Sequence, residues 1–153
     1  MMKCVIFLAV LGIVSGCPEK GASVAFTAFL SKDTTVGSHA VVKYDHVLTN
    51  WGGAYQPTTG VFTAPYNGLY SISCTLMSFP KNYVHLGIMK NGIRLSVVFS
   101  NAKTFPQSSQ TLQLVLNKGD RIWIRNNNGR ASKMHDRSVS NYNVFSGFLI
   151  DQL

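Results

Sequence analysis

Apolar and polar residues alternate in short runs along most of this chain, and no stretch repeats at the three-to-four-residue spacing of a helix. The clearest run is Leu69 to Met77. Tyr70, Ile72, Cys74 and Leu76 share one face there, and Ser71, Ser73, Thr75 and Met77 the other, which is the period of a strand. Val84, Leu86 and Ile88 alternate up to Asn91-Gly92, and Ile93, Leu95, Val97 and Phe99 resume beyond it. Asn-Gly accepts the positive φ of a two-residue turn, so these runs predict a hairpin. Leu112, Leu114 and Leu116 mark another strand. Lys118-Gly119-Asp120 then turns the chain into Arg121–Arg125, where Ile122 and Ile124 share a face, and this spacing predicts a second hairpin.

Two segments depart from simple alternation. Val24 to Leu30 carries Phe26 and Phe29 on opposite faces, and Val144 to Ile150 does the same with Phe145 and Phe148. A lone sandwich buries one face of each sheet, so strands apolar on both faces imply that a second subunit covers the outer one. The bland alternative places Phe29 or Phe145 under a loop. The polar stretch Asn126 to Asn143 reads as one long loop, and no repeat or linker divides the chain. The fold class is all-β.

The chain has 153 residues, enough for one domain with one core. It opens with Met1-Met2-Lys3, an eleven-residue apolar run from Cys4 to Val14, then Ser15 and Gly16. That is the order of a secretory signal peptide, with cleavage expected after Gly16. The run is too short to span a bilayer, which takes roughly 20 apolar residues. Val14-Ser15-Gly16-Cys17 also imitates a bacterial lipoprotein processing site, which would leave a lipid on Cys17. The expected organisation is signal peptide 1–16, a short segment 17–23, and a globular domain 24–153.

Charge changes the picture of the partner. Fourteen Lys and Arg face six acidic residues; losing Lys3 with the signal leaves 13 minus 6, a net charge of +7. An anionic partner follows, and for an exported protein acidic glycans and microbial envelopes come before nucleic acid. Cys4 leaves with the signal peptide. Cys17 and Cys74 then remain in an oxidising compartment, where Cys17 could link chains or pair with Cys74, itself placed as a small buried hydrophobe. No Asn-x-Ser/Thr acceptor occurs, so N-glycosylation is not expected.

From Tyr44 to Tyr70 an aromatic stands six residues before Asn50, another five after it, a Phe seven further on, then Gly-x-Tyr: Tyr44, Asn50, Tyr55, Phe62, Gly68 and Tyr70. This pattern resembles the globular-head family of complement component 1q. The resemblance extends to Ala25–Ser31, Gly119–Ile124 and Phe145–Ile150, nearly all of the expected mature chain. Tyr44 stands where the signature commonly has Phe, and Ile72 and Cys74 where aromatics usually follow; these touch packing more than function. The resemblance implies a ten-stranded jelly-roll β-sandwich of the complement 1q and tumour necrosis factor type, and a homotrimer. Many relatives carry a collagen stem before the head, whereas only Cys17 to Ser23 stands there, so the chain reads as a stand-alone head and complement activation is not carried over. Asn67-Gly68 and Pro57–Gly60 read as turn chemistry, in which Gly supplies positive φ.

Catalytic signals are missing. There is no Gly-x-Ser-x-Gly and no Cys motif of a known nucleophile, so no enzyme is expected. His39, His46, His85 and His135 lack the paired spacing of zinc sites, and no metal is predicted. Calcium has no Asp-x-Asp motif, although a threefold axis could gather one carboxylate per subunit. No dinucleotide or phosphate-loop motif points to an organic cofactor. One charge feature is concentrated: Arg125, Arg130, Lys133 and Arg137, with His135 among them and only Asp136 opposing. These are the candidate ligand-binding residues, for Arg suits carboxylate and phosphate geometry and a trimer repeats the patch three times. The leading expectation is a secreted innate-immune recognition protein, lectin-like, for microbial or anionic carbohydrate surfaces. The alternatives are a receptor-directed signalling or synapse-organising ligand and an extracellular-matrix component.

Overall fold

A two-residue period lets each strand bury one row of side chains. The computed structural model, which describes residues 23–101, 103–137 and 140–153, stacks these rows between two antiparallel sheets. The strands are β1 (Ala25–Phe29), β2 (Thr34–Val36), β3 (His46–Trp51), β4 (Tyr55–Gln56), β5 (Val61–Thr63) and β6 (Gly68–Met77). They continue with β7 (Tyr83–Lys90), β8 (Ile93–Asn101), β9 (Gln107–Leu116), β10 (Arg121–Asn126), β11 (Ser132–Met134) and β12 (Val144–Gln152). Sheet I runs β3-β1-β12-β6-β9 and sheet II β4-β5-β10-β7-β8, while β2 and β11 form a separate two-stranded ribbon. The fold is thus an all-β jelly roll with ten strands in the sandwich.

The hairpin at Asn91-Gly92 is present. Both residues have positive φ, 49° and 93°, and Lys90 pairs with Ile93 across the turn. The second expected hairpin is absent. β9 pairs with β6 in sheet I and β10 pairs with β5 and β7 in sheet II, so Lys118-Gly119-Asp120 carries the chain from one sheet to the other. A turn motif fixes a local reversal; it does not fix which strand becomes the neighbour.

Four of the six signature positions, Tyr44, Tyr55, Phe62 and Tyr70, place their rings in the core. Phe26 stacks on Tyr55 (5.0 Å between ring centres) and on Phe62 (4.9 Å), and meets Phe145 edge-on at 4.8 Å. Tyr70 meets Phe62 edge-on and Tyr44 lies against Phe145. The Asn50 amide braces the turn, donating to Tyr55 O (2.8 Å) and accepting from Tyr55 N (3.1 Å). The buried phenols keep partners: Tyr55 donates to Tyr44 O and Tyr70 to Tyr66 O. The aromatic packing of two sheets therefore converges on one ring, Phe26.

Glycine has two different uses here. Gly60 takes a φ of 74°, and a Cβ there would run into the Val42 carbonyl. Gly68 needs no positive φ, contrary to the turn reading. It sits inside β6, where a Cβ would come within 2.5 Å of Asp151 O and Leu149 Cδ1, so it is held by lack of space.

Candidate functional site

The segment read as a long polar loop is largely structural. Asn126, Asn128, Asp136 and Asn143 are buried, and Ser132–Met134 forms β11 against β2. Asn126 Nδ2 donates to the carbonyls of Val36, Gly37 and Arg130, and its Oδ1 accepts from Asn128 N and the Ser132 hydroxyl. Asn143 donates to His135 O (2.7 Å) and accepts from Met77 N (2.8 Å), while Asp136 accepts from Asn143 N (2.9 Å). These asparagines replace ladder bonds that irregular backbone cannot make.

The predicted site residues divide accordingly. His135 is 7% exposed, enclosed by Phe79, Phe105 and Tyr142, with Nδ1 3.0 Å from Asp33 Oδ1, so it belongs to the interior and not to an open loop. Lys133 is exposed, with Nζ 4.4 Å from the Phe79 ring centre, and Arg137 is exposed beyond it. Arg130 is exposed and holds its guanidinium 5.9 Å from the Tyr83 ring centre. Arg125 lies half-buried on β10, and its Nε donates to Asn127 Oδ1 at 3.1 Å. The structure brings Arg125 and Arg130 to sheet II and places Lys133 and His135 on the Phe79 side.

Sheet II carries more cations than the loop alone suggested. On β7, Val84, Leu86 and Ile88 point into the core, leaving Tyr83, His85, Gly87 and Met89 outward. Met89 is fully buried yet outside the core cluster; its neighbours in register are Trp123 on β10 and Arg94 on β8. Arg121 stands 5.8 Å over the Trp123 ring. Gly87 is flanked by Arg125, and a Cβ there would strike the Asn127 amide and lie 3.3 Å from Arg94 Cδ. Asn127 Nδ2 is buried without a hydrogen-bond partner, which costs roughly 1–3 kcal/mol. Strands β5, β7, β8 and β10 contain no acidic residue, and among the described residues the ion pairs are Lys90–Asp120 and His135–Asp33. Arg94, Arg121 and Trp123 escaped the sequence reading because no run of charge gathers them; only their outward parity could have shown them together.

The outer face of sheet I is different. Trp51, Ala25 and Phe148 stand in one row across β3, β1 and β12, and Trp51 is 64% and Phe148 51% exposed. With Ile150 they line an open groove of about 560 Å³. The next row across β1, β12, β6 and β9 is hydroxylic: Thr27, Ser146, Ser73 and Thr111. Cys74 faces the other way, into the core, where burial pushes its thiol up to about 12 against a smaller pull from the Tyr44 hydroxyl 3.5 Å away. Such a thiol is inert. Cys17 and the expected signal peptide lie outside the described residues. Among the described residues no three of His, Cys, Asp and Glu gather as metal ligands, and no helix is long and apolar enough to cross a membrane.

The sequence model of the C1q domain family matches residues 25–150. The chain belongs to the C1q domain family. It is similar to Protein HP-25 homolog 1 of Bos taurus, 31% identical over 140 residues, covering 91% of this chain and 63% of that protein. It is also similar to Complement C1q tumor necrosis factor-related protein 6 of Mus musculus, 32% identical over 110 residues, covering 70% of this chain and 41% of that one. The chain thus spans less than two thirds of these relatives. Among solved structures, the globular domain of zebrafish complement 1qA protein superposes with a TM-score of 0.66 at 22% identity, over 85% of this chain and 99% of that one. An Eiger TNF from S. frugiperda gives 0.65 at 15% identity, over 86% and 93%. These two show the shared jelly roll. C1q-domain proteins are non-enzymatic ligand or recognition proteins, generally trimeric and typically secreted.

Proposed function

We propose that this C1q-domain chain acts as a secreted homotrimer that recognises repetitive anionic surfaces, microbial or carbohydrate, with one basic patch per protomer. The observation that carries the reading is the set of exposed cations Arg130, Lys133 and Arg137, which have no carboxylate partner among the described residues. The buried Asn126 and Asn143 networks hold the backbone beneath them, so the charges project from a fixed support. The uncovered row of Trp51 and Phe148 on sheet I supports self-association, since exposed apolar patches of this kind mark interfaces. Three patches on one body convert weak single contacts into avidity.

The test is charge reversal at Arg130, Lys133 and Arg137, read as binding to intact bacteria and to anionic glycan arrays across ionic strength. The expected result is weakened binding with a shallower salt dependence. Unchanged binding would sink the site. A receptor-directed role is favoured by one feature, the exposed aromatics Tyr83, Phe99 and Phe105, since aromatic residues dominate protein-binding hot spots. Recovery of a single protein partner at defined stoichiometry would select that reading.

A further inference from the structure

We infer that Asn91 is a self-modification site, where the Gly92 nitrogen displaces the side-chain amide as ammonia and the Asp120 carboxylate sets the rate. The chain holds three Asn-Gly pairs: Asn67-Gly68, Asn91-Gly92 and Asn128-Gly129. Glycine has no side chain to obstruct its nitrogen, so these are the places where a backbone nitrogen most readily reaches an asparagine Cγ. The fold treats the three differently. Asn128 is buried, and its Nδ2 donates to Tyr83 O (2.9 Å) and to the Ser132 hydroxyl (2.7 Å). Asn67 is exposed, but Gly68 lies inside β6, paired on both sides and wedged against Asp151 O. Ring closure at either place requires a buried network or a strand to come apart.

Asn91 and Gly92 form the exposed loop between β7 and β8. Nothing lies within 4 Å of a Cβ built on Gly92, and the Gly92 nitrogen has no backbone acceptor among the described residues. Restraint comes from the neighbouring turn. Asn91 N donates to Arg121 O (3.0 Å), the side-chain Nδ2 donates to Asp120 Oδ1 (2.7 Å), and Oδ1 accepts from Arg121 N (2.8 Å). Lys90 Nζ holds the other Asp120 oxygen at 2.9 Å. A hydrogen bond to an ionised acceptor is among the stronger ones, so freeing the amide from Asp120 is the step that precedes closure.

The reaction needs only solvent water. Gly92 N bonds to Asn91 Cγ and gives up its proton, the Cγ–Nδ2 bond breaks, and ammonia leaves with that proton. Water then opens the cyclic imide to an aspartyl or isoaspartyl residue. Where the amide donated to Asp120, a second carboxylate now faces the first, and like charges at that separation repel. The isoaspartyl form also lengthens the backbone of a two-residue turn, against the pairing of Lys90 with Ile93. The modification therefore records the age of the folded chain and loosens this hairpin end.

The test is peptide mapping by mass spectrometry of the full chain, kept folded in mildly alkaline buffer and sampled over weeks. Amide-to-acid conversion is expected first at Asn91, whereas in guanidinium chloride the three asparagines should convert at similar rates. Asp120→Ala should speed conversion at Asn91 about tenfold, the effect of one charge-assisted hydrogen bond on an opening step. Lys90→Gln removes the ion pair and leaves the carboxylate on the Asn91 amide, so it should change the rate by less than about twofold. Conversion first at Asn67 or Asn128 overturns the site, and equal acceleration in the two variants overturns the role of Asp120. The order among the three asparagines needs only the unsubstituted chain, so the site stays testable if Asp120→Ala does not fold. Asn91→Asp should lower the urea midpoint; an unchanged midpoint overturns the loosening of the hairpin.

Discussion

The two outer faces of this sandwich rest on the same aromatic core and differ in chemistry. Sheet I shows Trp51, Phe148 and Ile150 above a row of hydroxyls, while sheet II shows arginines over aromatic rings, with Tyr83 and Phe99 packed edge to face beside them. Inward positions are constrained by packing, so outward positions on each sheet are where the chain records what it meets. An uncharged apolar row suits another copy of itself; unpaired guanidinium groups suit a foreign anion.

The comparison breaks first at the shared support. Phe26→Ala removes the ring on which Tyr55, Phe62 and Phe145 pack, and it should cost about 3–5 kcal/mol, seen as a lower urea midpoint and loss of both binding and assembly. Trp51→Ser and Phe148→Ser should each remove roughly 1.5–3 kcal/mol of apolar burial from the subunit contact. Sedimentation at micromolar concentration should then show monomers whose far-ultraviolet circular dichroism is unchanged. Gly87→Val forces a side chain into the Asn127 amide and Arg94, an overpacking cost of about 1–3 kcal/mol, and should lower the urea midpoint without dissociating the assembly.

Smaller effects sharpen the contrast. The Lys90 ammonium, together with Asn91 and the Asn117 amide, holds the Asp120 carboxyl below its ordinary value. Around pH 4 the unfolded chain therefore binds more protons at this group than the folded one, and stability rises with pH. The contribution is complete above the ordinary carboxylate range and fades as pH falls through the lower folded value. Asp120→Asn should flatten that part of the urea-midpoint profile below about pH 5. Smallest of all, Arg94→Gln should move stability by no more than about 0.5 kcal/mol, since it contributes to no ion pair. A large loss of stability there would make sheet II's arginines structural.

Much of the fold was legible because burial imposes parity. Tyr70, Ile72, Cys74 and Leu76 face inward together, as their spacing requires, and Asn91-Gly92 makes the turn its φ tolerance allows. Pairing across the sandwich was less legible: nothing local in Lys118-Gly119-Asp120 says that β9 and β10 belong to different sheets. The asparagines at 126, 128 and 143 looked solvated because polar composition hides burial whenever side-chain amides substitute for a ladder. His135, named among the binding candidates, lies buried beside them. Arg94 and Arg121 were not gathered with Arg125 because they stand on different strands, β8 and β10, or at opposite ends of one, and only register brings them to one face.

The place of β12 governs how the molecule comes into being. It sits third of five in sheet I, between β1 and β6, with Ala25 paired to Phe148 across most of the chain. During synthesis, β1 and β6 leave the ribosome long before the strand that joins them, each with an unpaired edge. Sheet I can close only once β12 has emerged, and until then β1 and β6 each lack a partner on the edge that β12 fills. Yield in a cell will depend on how long that gap stays open.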